Sequence, residues 1–319
     1  MATADQILAL IRSHLKNDDA QFRNIALQVS AVEAKNGHTV LSRSIRDLLN
    51  QELPSVKTFQ LGSRFKDVEG LLLPMVPTES MSDLVADDEV MDKLNRVVKE
   101  YAMRDELHRY GLVNRRKLML YGEPGTGKTM SASALAQELN LPLFVVRTEK
   151  VVSKFLGETG LKLGHIFDHI REVQGLYLFD EFDAIGCQRG QENEVGEQRR
   201  ILNTFLQLLE RDSSESFIVA ATNTIEAIDK AMFRRFDDVV HYALPTSSQR
   251  MRLLREYLYM AKELNFDEIE PMLRGLSHAD IKMVCADVLK ESLINNKPIT
   301  AQLVKEEVNL HRNLYRKIS

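Results

Sequence analysis

Apolar residues recur along this chain in two rhythms, and each change of rhythm marks a change of expected architecture. Near the N-terminus the rhythm is helical. Ile7, Leu8, Leu10, Ile11 and Leu15 share one face, and Phe22, Ile25, Ala26, Val29 and Val32 repeat at three- and four-residue spacing. Lys35-Asn36-Gly37-His38 interrupts it, with Gly37 suited to a helix C-cap, before Val40, Leu41, Ile45, Leu48 and Leu49 define a third amphipathic stretch. Residues 1–52 are expected to form a small helical bundle whose core is thin, better suited to docking a substrate or partner than to standing alone. From 53 to 83 the pattern weakens. Pro54, Pro74 and Pro77 punctuate a linker in which Leu71-Leu72-Leu73 could order as one strand or docking segment. Helical spacing returns at Val90, Leu94, Val97 and Val98 and continues through Tyr101 and Leu107 to a stop at Gly111.

After Gly111 short apolar runs alternate with helical segments. Strands are expected at Leu118–Leu120, Leu143–Arg147, Leu176–Phe179, Phe217–Ala221 and Val239–Ala243, with helices between them at Gly160–Val173 and Glu197–Leu209. The runs are nearly continuous rather than alternating, as a parallel sheet covered on both faces requires. Beyond Pro245 the strands stop. Gln249–Leu264, Ala279–Asn295 and Ala301–Leu314 read as helices, so residues 84–245 are expected to form an α/β subdomain and 246–319 an all-α one.

Composition narrows the class. At 319 residues, with 44% hydrophobic and 28% charged side chains, the chain has the balance of a water-soluble globular protein. A net charge of −4 gives no global attraction to nucleic acid or anionic membrane. Cys187 and Cys285 lack metal-ligand spacing and do not make a disulfide framework, which fits a reduced intracellular compartment. No apolar run reaches the roughly 20 residues needed to span a bilayer, and no basic-then-apolar leader opens the chain. A cytoplasmic protein without membrane contact is expected.

The first chemistry lies where the Leu118 strand meets a helix. Gly122-Glu123-Pro124-Gly125-Thr126-Gly127-Lys128-Thr129, followed by Met130, fits the G-x-x-x-x-G-K-[ST] pattern of a phosphate-binding loop. Glycines let backbone N–H groups approach phosphate oxygens, and the helix that follows directs the positive end of its dipole at the same anion. Lys128 adds a charge at the β- and γ-phosphates, and the Thr129 hydroxyl can ligate Mg²⁺. ATP and Mg²⁺ are therefore the expected cofactors. The fold expected is an α/β P-loop NTPase: a parallel sheet with helices on both faces, a C-terminal all-α lid and a small N-terminal helical domain. Leu176–Phe179 then ends in Asp180-Glu181, carboxylates at the C-terminal end of a strand, where ligands bind in open α/β sheets. Asp180 would hold Mg²⁺ through its water shell, and Glu181 would orient and polarise the attacking water. Phe217–Ala221 ends in Thr222-Asn223, which places the Asn223 amide within reach of the γ-phosphate or that water.

These motifs resemble the AAA ATPases, specifically the branch containing katanin, spastin and related protein-remodelling enzymes. The resemblance runs from about residue 83 to the C-terminus. It rests on Gly122–Thr129 (Walker A), Leu176–Glu181 followed by Asp183 (Walker B), Thr222-Asn223 (sensor 1), Arg234-Arg235-Phe236, and Gly275-Leu276-Ser277-His278-Ala279-Asp280-Ile281. Glu123 replaces the proline most relatives carry, at a variable position of the loop. The resemblance implies that Gly275 and Ala279 open a lid helix close to the nucleotide, with Ala279 beside the position of a second-sensor arginine that this branch lacks. It implies that Arg234 and Arg235 are arginine fingers acting on a neighbouring subunit's nucleotide, hence a homo-oligomeric ring, usually a hexamer. It also implies a first pore loop at Lys154-Phe155-Leu156-Gly157, with Phe155 gripping polypeptide by apolar contact. Gln188–Glu194 fits a second pore loop, and Arg199 and Arg200 resemble arginines facing the neighbouring nucleotide.

The function expected is ATP-driven remodelling, unfolding or translocation of a protein substrate through a central pore, with a protease or other effector in trans left open. The alternatives are a nucleotide-gated DNA-associated loader or switch, disfavoured by the lack of a basic module, and a regulatory ATP-binding scaffold. His165 and His169 lie at i and i+4 but lack the glutamate of a zinc-protease motif, so a surface pair is expected.

Overall fold

The computed structural model describes residues 25–26, 29–30, 68–153, 157–183, 192–224, 233–261 and 264–316. The chain divides into two units, Met1–Leu61 and Gly62–Ser319. In the first, the four described residues are helical, with Ala26, Val29 and Ser30 buried. The rest of the expected N-terminal bundle lies outside the described residues.

The second unit is built on a six-stranded sheet. Its strands are β1 (Leu72–Met75), β2 (Lys117–Gly122), β3 (Leu143–Val146), β4 (Leu176–Phe179), β5 (Phe217–Thr222) and β6 (Asp238–Tyr242), in the spatial order β1-β3-β4-β5-β2-β6. All neighbouring pairs are parallel except β1 with β3. The apolar runs of β4 and β5, inside the sheet, are buried at every position, as their lack of alternation requires, whereas β6 at one edge leaves His241 exposed.

Different helices cover the two faces. One face packs against α5 (Glu158–Glu172) and α6 (Glu192–Arg211) through an aromatic cluster that includes Phe167, Phe179, Phe182 and Phe205. Phe179 and Phe205 meet edge to face with centroids 5.2 Å apart. The other face packs against α1 (Asp88–Ala102) and α3 (Lys128–Glu138). Helix α3 buries Ser131, Ala132, Ser133, Ala134, Leu135 and Ala136 in succession, small side chains that let it lie close to the sheet.

Two departures from the sequence expectation have local causes, and one open expectation is resolved. The linker's apolar patch forms a strand, β1, whose bonded register with β3 (Arg147 N–H to the Leu71 carbonyl, 2.8 Å) turns the backbone of Pro74 toward the open edge. Proline has no N–H to expose there, which blunts the edge against further strand pairing. The helix expected to run to Gly111 breaks at Met103 (φ −100°, ψ 12°) and resumes as α2 (Arg104–Arg109). No residue of α2 is buried, so no core face extends the first helix, and Arg104 Nη1 donates to the Tyr101 carbonyl at 3.1 Å. Gly111, at φ 71°, then closes α2, with Leu112 N–H bonded to the Leu107 carbonyl.

A short helix α4 (Thr148–Val151) follows β3, and after β6 the chain is helical. Helices α7 (Ser247–Tyr257), α8 (Phe266–Ile269), α9 (His278–Ile294) and α10 (Ala301–Arg316) enclose a separate core that includes Leu254, Leu258, Ile269, Ile281, Val284 and Val304. The second departure is here. Helix α7 ends at Tyr257, short of the expected Leu264, and Asn265 caps a new helix by accepting from the Asp267 N–H. Cys285 is buried in this core, and burial pushes its thiol up to about 12, so it is not a reactive thiolate. Among the described residues no helix is long and apolar enough to cross a membrane.

Candidate active site

The loop between β2 and α3 is shaped by glycines whose side-chain space is already taken. Gly122 has φ 143°, and a Cβ there would come 2.0 Å from the Tyr242 carbonyl oxygen of β6. Gly125 has φ 72°, and its Cβ would meet Ser277 Oγ at 2.5 Å. At these positions any other residue would force the sheet, or the lid, away from the loop. Within the loop, Thr126 Oγ1 donates to the Glu123 carbonyl at 2.7 Å, while Glu123 and Pro124 are exposed. Lys128 Nζ folds back to donate to the carbonyls of Gly122 and Glu123, both at 2.8 Å. Burial pushes the Lys128 pKa down, against the opposing pull of Asp180, Glu123 and Asp183. A buried ammonium held over a glycine turn at the start of α3 is a site for an anion.

Two elements meet at the metal position. Asp180, directly after β4, accepts from Thr129 Oγ1 at 2.6 Å through Oδ2 and from Glu181 N–H at 2.8 Å through Oδ1. These paired hard oxygens suit Mg²⁺, which holds several waters and takes few protein ligands. Glu181 has φ 49°, a left-handed conformation that is strained for a residue with a side chain, and it is exposed. The strain is held by Phe182, which is fully buried in the aromatic core and donates its N–H to the Ala221 carbonyl of β5 at 2.8 Å.

Sheet order brings Asn223 to the same edge. It follows β5, the strand lying between β2 and β4. Its neighbour Thr222 is buried, donates to Asp183 Oδ1 at 3.4 Å and accepts from Thr224 N–H at 3.1 Å. The lid closes the opposite side. Gly275 (φ 86°) turns the chain, Ser277 caps α9 in a reciprocal box with Asp280, and Ala279 N–H donates to the Gly125 carbonyl at 3.0 Å. Burial works to raise the Asp280 carboxyl, but bonds from the Ser277 N–H and hydroxyl and from His311 outweigh it and hold the pKa below the usual value. His311, on α10, meets Asp280 Oδ1 at 3.0 Å.

Beside Thr126 lies a small pocket whose lining includes Asp87, Tyr242, Gln249 and His278. Gln249 Nε2 donates to Asp87 Oδ1 at 2.9 Å. Burial pushes the His278 pKa down, with Asp87 and the Val85 carbonyl acting the other way. His278 lies within the Gly275–Ile281 motif, next to the Ser277 cap, and the sequence alone gives it no role.

The arginine pair stands apart from these groups. Arg234 is exposed, and Arg235 Nε forms an ion pair with Glu210 Oε1 on α6 at 2.6 Å. The partners of Lys128, Thr129 and Asp180 are the loop, β4 and one another, and neither arginine is among them. Of the expected pore loop, Lys154, Phe155 and Leu156 lie outside the described residues. Gly157 (φ 84°) caps α5, and Ser153, on the other side, bonds through N–H to Thr159 Oγ1 at 3.0 Å and through its hydroxyl to Glu158. Gln188–Gln191 also lie outside the described residues; Glu192–Glu194 and Arg199 fall within α6, and Arg200 is exposed. The expected surface pair of histidines is corrected. His165 is exposed, but His169 is buried against Phe144 and bonds Tyr177 Oη through Nδ1 at 2.7 Å, because its turn of α5 faces the sheet.

Comparison with known proteins agrees with this geometry. The family described as "ATPase family associated with various cellular activities (AAA)" matches residues 118–244, from β2 to just past β6. The "uncharacterized AAA family ATPase y4kL" of Sinorhizobium fredii is 31% identical over 314 residues, covering 93% of this chain and 91% of the relative. A proteasome-activating nucleotidase of Saccharolobus solfataricus is 31% identical over 89% of this chain and 72% of the relative. Another, from Methanoregula boonei, is 31% identical over 79% of this chain, which spans 61% of that relative. A nucleotide-binding loop, an acidic strand end and a helical lid arranged as above, with a relative matched over nine-tenths of both sequences, identify the chain as a member of the AAA family of ATPases, an enzyme that hydrolyses ATP.

Proposed function

We propose that this ATPase works as a ring, a hexamer in the form its family resemblance suggests, that unfolds or translocates protein substrates through a central pore. The observation that carries the proposal is the separation of the site into two surfaces. Lys128, Thr129, Asp180 and Glu181 converge on one edge of the sheet, while Arg234 is exposed on a segment anchored elsewhere. A hydrolytic site whose cationic stabiliser faces outward is completed by another copy.

In this reading Lys128 and the N-terminus of α3 bind the β- and γ-phosphates of ATP, and Thr129 and Asp180 hold Mg²⁺. Mg²⁺ held there would supply charge neutralisation to the phosphates. Glu181 orients the attacking water and accepts its proton, and Asn223 senses the γ-phosphate. The Arg234-Arg235 pair of the neighbouring subunit supplies the cation that stabilises the charge of the transferred phosphoryl group. The Gly125–Ala279 bond makes the lid a reporter of the loop's state, so that a nucleotide entering or leaving moves α9.

Two supports favour protein as the substrate. Phe155-Leu156-Gly157 places an aromatic and an aliphatic residue before a glycine in the segment entering α5, and the Saccharolobus and Methanoregula relatives are named proteasome-activating nucleotidases. The proposed organisation is an adaptor at residues 1–52, a connecting segment at 53–83, the α/β subdomain at 84–245 and the lid at 246–319, with a protease or other effector acting in trans. The katanin–spastin likeness of the motifs belongs to this proposal as well.

The test is ATP-driven loss of fluorescence from a folded fluorescent protein bearing an unstructured tail. Phe155→Ala is expected to keep ATP turnover within about twofold while unfolding falls at least about tenfold. Undiminished unfolding by Phe155→Ala would remove the pore from the account.

A further inference from the structure

The two arginines of the Arg234-Arg235-Phe236 motif are adjacent in sequence but differently placed. Phe236 is buried in the aromatic core and Phe233 packs against it, beside Phe205 and Leu209 of α6. Downstream, Asp237 Oδ2 accepts the N–H groups of Arg116 and Lys117, both at 2.9 Å, which ties the segment to the start of β2. The backbone carrying the arginines is thus anchored on both sides. Between the anchors Arg234 is exposed, whereas Arg235 is drawn onto its own subunit by Glu210, near the C-terminal end of α6.

We infer that Glu210 is a positioning residue for the trans-acting arginines: by holding the Arg235 guanidinium against α6, it leaves Arg234 as the arginine presented to the neighbouring subunit's γ-phosphate. This rests on the shared-site reading proposed above. The chemistry fits a positioning role. The contact is an ion pair at Nε, the inner nitrogen of the guanidinium, so it acts near the base of the fork. The pair is partly exposed, with side-chain accessibilities of 30% for Arg235 and 51% for Glu210, so its influence is moderate and can be reversed. Without Glu210, Arg235 becomes a second mobile cation beside Arg234, competing for the same phosphate from a poorer direction.

The test isolates the donated fingers. A subunit carrying Lys128→Ala has a disabled nucleotide loop but intact arginines; a subunit carrying Arg234→Ala and Arg235→Ala has the reverse. In a mixture of the two, turnover comes from double-arginine sites completed by Lys128→Ala neighbours. Adding Glu210→Gln to the Lys128→Ala subunit is expected to lower the kcat of the mixture about three- to fivefold, the effect of a half-exposed ion pair. The KM for ATP, set by the other subunit's loop, is expected to stay within about twofold. Restoring Lys128 and Arg234 in separate controls locates the finger: Arg235→Ala alone retains more turnover than Arg234→Ala alone. Unchanged kcat with Glu210→Gln, or a larger loss from Arg235→Ala than from Arg234→Ala, overturns the positioning assignment. Absence of turnover in the mixture with Glu210 intact overturns the shared site itself, so the two failures are distinguishable. Glu210→Gln keeps size and hydrogen-bonding capacity, and its melting temperature within about 2 °C of the parent excludes misfolding as the cause.

Discussion

The nucleotide loop and the arginine segment are both attached to the same sheet, yet they are built on opposite principles. The loop is determined by crowding. Gly122 lies against the Tyr242 backbone, Gly125 lies under Ser277, and Lys128 is buried over two carbonyls of its own turn. Little there can move without disturbing β6 or the lid. The arginine segment buries Phe236, packs a partly buried Phe233 against the same core, and leaves Arg234 exposed beside an Arg235 held by a half-exposed carboxylate. One half is preorganised within the chain, and the other is presented for use elsewhere. Rigidity therefore marks the surface that must bind before chemistry, and exposure marks the surface that acts on a neighbour.

That contrast can be broken most sharply at the arginines. Arg234→Ala is expected to reduce kcat by on the order of 10³-fold, the lower range for an arginine finger, with ATP affinity changed less than about threefold. Steady-state turnover beside equilibrium binding of a fluorescent ATP analogue measures both. Lys128→Ala is expected to fail differently, losing about 10²- to 10³-fold in turnover together with nucleotide affinity, since its charge faces the phosphates in ground and transition states alike. If Arg234→Ala weakened binding as much as Lys128→Ala, the two halves would not be separable.

The crowding side has its own internal control. Gly122→Ala is expected to cost about 3 kcal/mol or more in thermal or urea unfolding, because its Cβ would overlap backbone that cannot withdraw without opening the β2–β6 pair. Gly127→Ala, with φ 102° but no atom within 4 Å of its Cβ, is expected to cost about 1–2 kcal/mol from backbone strain alone. Similar losses at the two positions would show that glycine serves conformation throughout the loop rather than close approach.

The smallest effect belongs to the lid. Ser277→Ala removes the cap of α9 and the hydroxyl bond to the Asp280 carboxylate, one of those that hold it ionised, and is expected to cost about 1 kcal/mol at pH 7. The sign of its pH dependence follows from Asp280, whose folded pKa is depressed. The stabilisation is present above the ordinary aspartate pKa of about 3.9 and is lost as pH falls through the lower folded value. Urea midpoints of the two proteins are therefore expected to converge in acid.

Much of this was legible from the chain. Continuous apolar runs gave the parallel strands because a strand covered on both faces has no polar side to alternate. The loop, Asp180-Glu181 and Asn223 were legible because each sits where an apolar run ends, a position that topology assigns to the ligand edge. The rest depended on partners that sequence does not mark. The Ala279–Gly125 bond is made by backbone atoms, so neither side chain advertises it. Glu210 belongs to no motif in the sequence, and it is the packing of Phe236, with Phe233 against the same core, that brings Arg235 to it. His169 is expected at the surface because the His165–His169 pair lacks the glutamate of a zinc-protease motif; the turn between them carries α5 from solvent onto the Tyr177 strand. The break at Met103 was hidden because Tyr101 and Leu107 keep helical spacing after the buried face has ended.

The shared site is the central claim, and complementation measures it most directly. Lys128→Ala protein and Arg234→Ala, Arg235→Ala protein are assayed for ATP turnover separately and then after mixing at equal concentration and reassembly. Each alone is expected to be nearly inactive, and the mixture is expected to recover up to roughly a quarter of parental turnover, the share of random neighbour pairs in which an intact loop faces intact arginines. Turnover of the mixture equal to the sum of its parts, at every mixing ratio, would contradict the account.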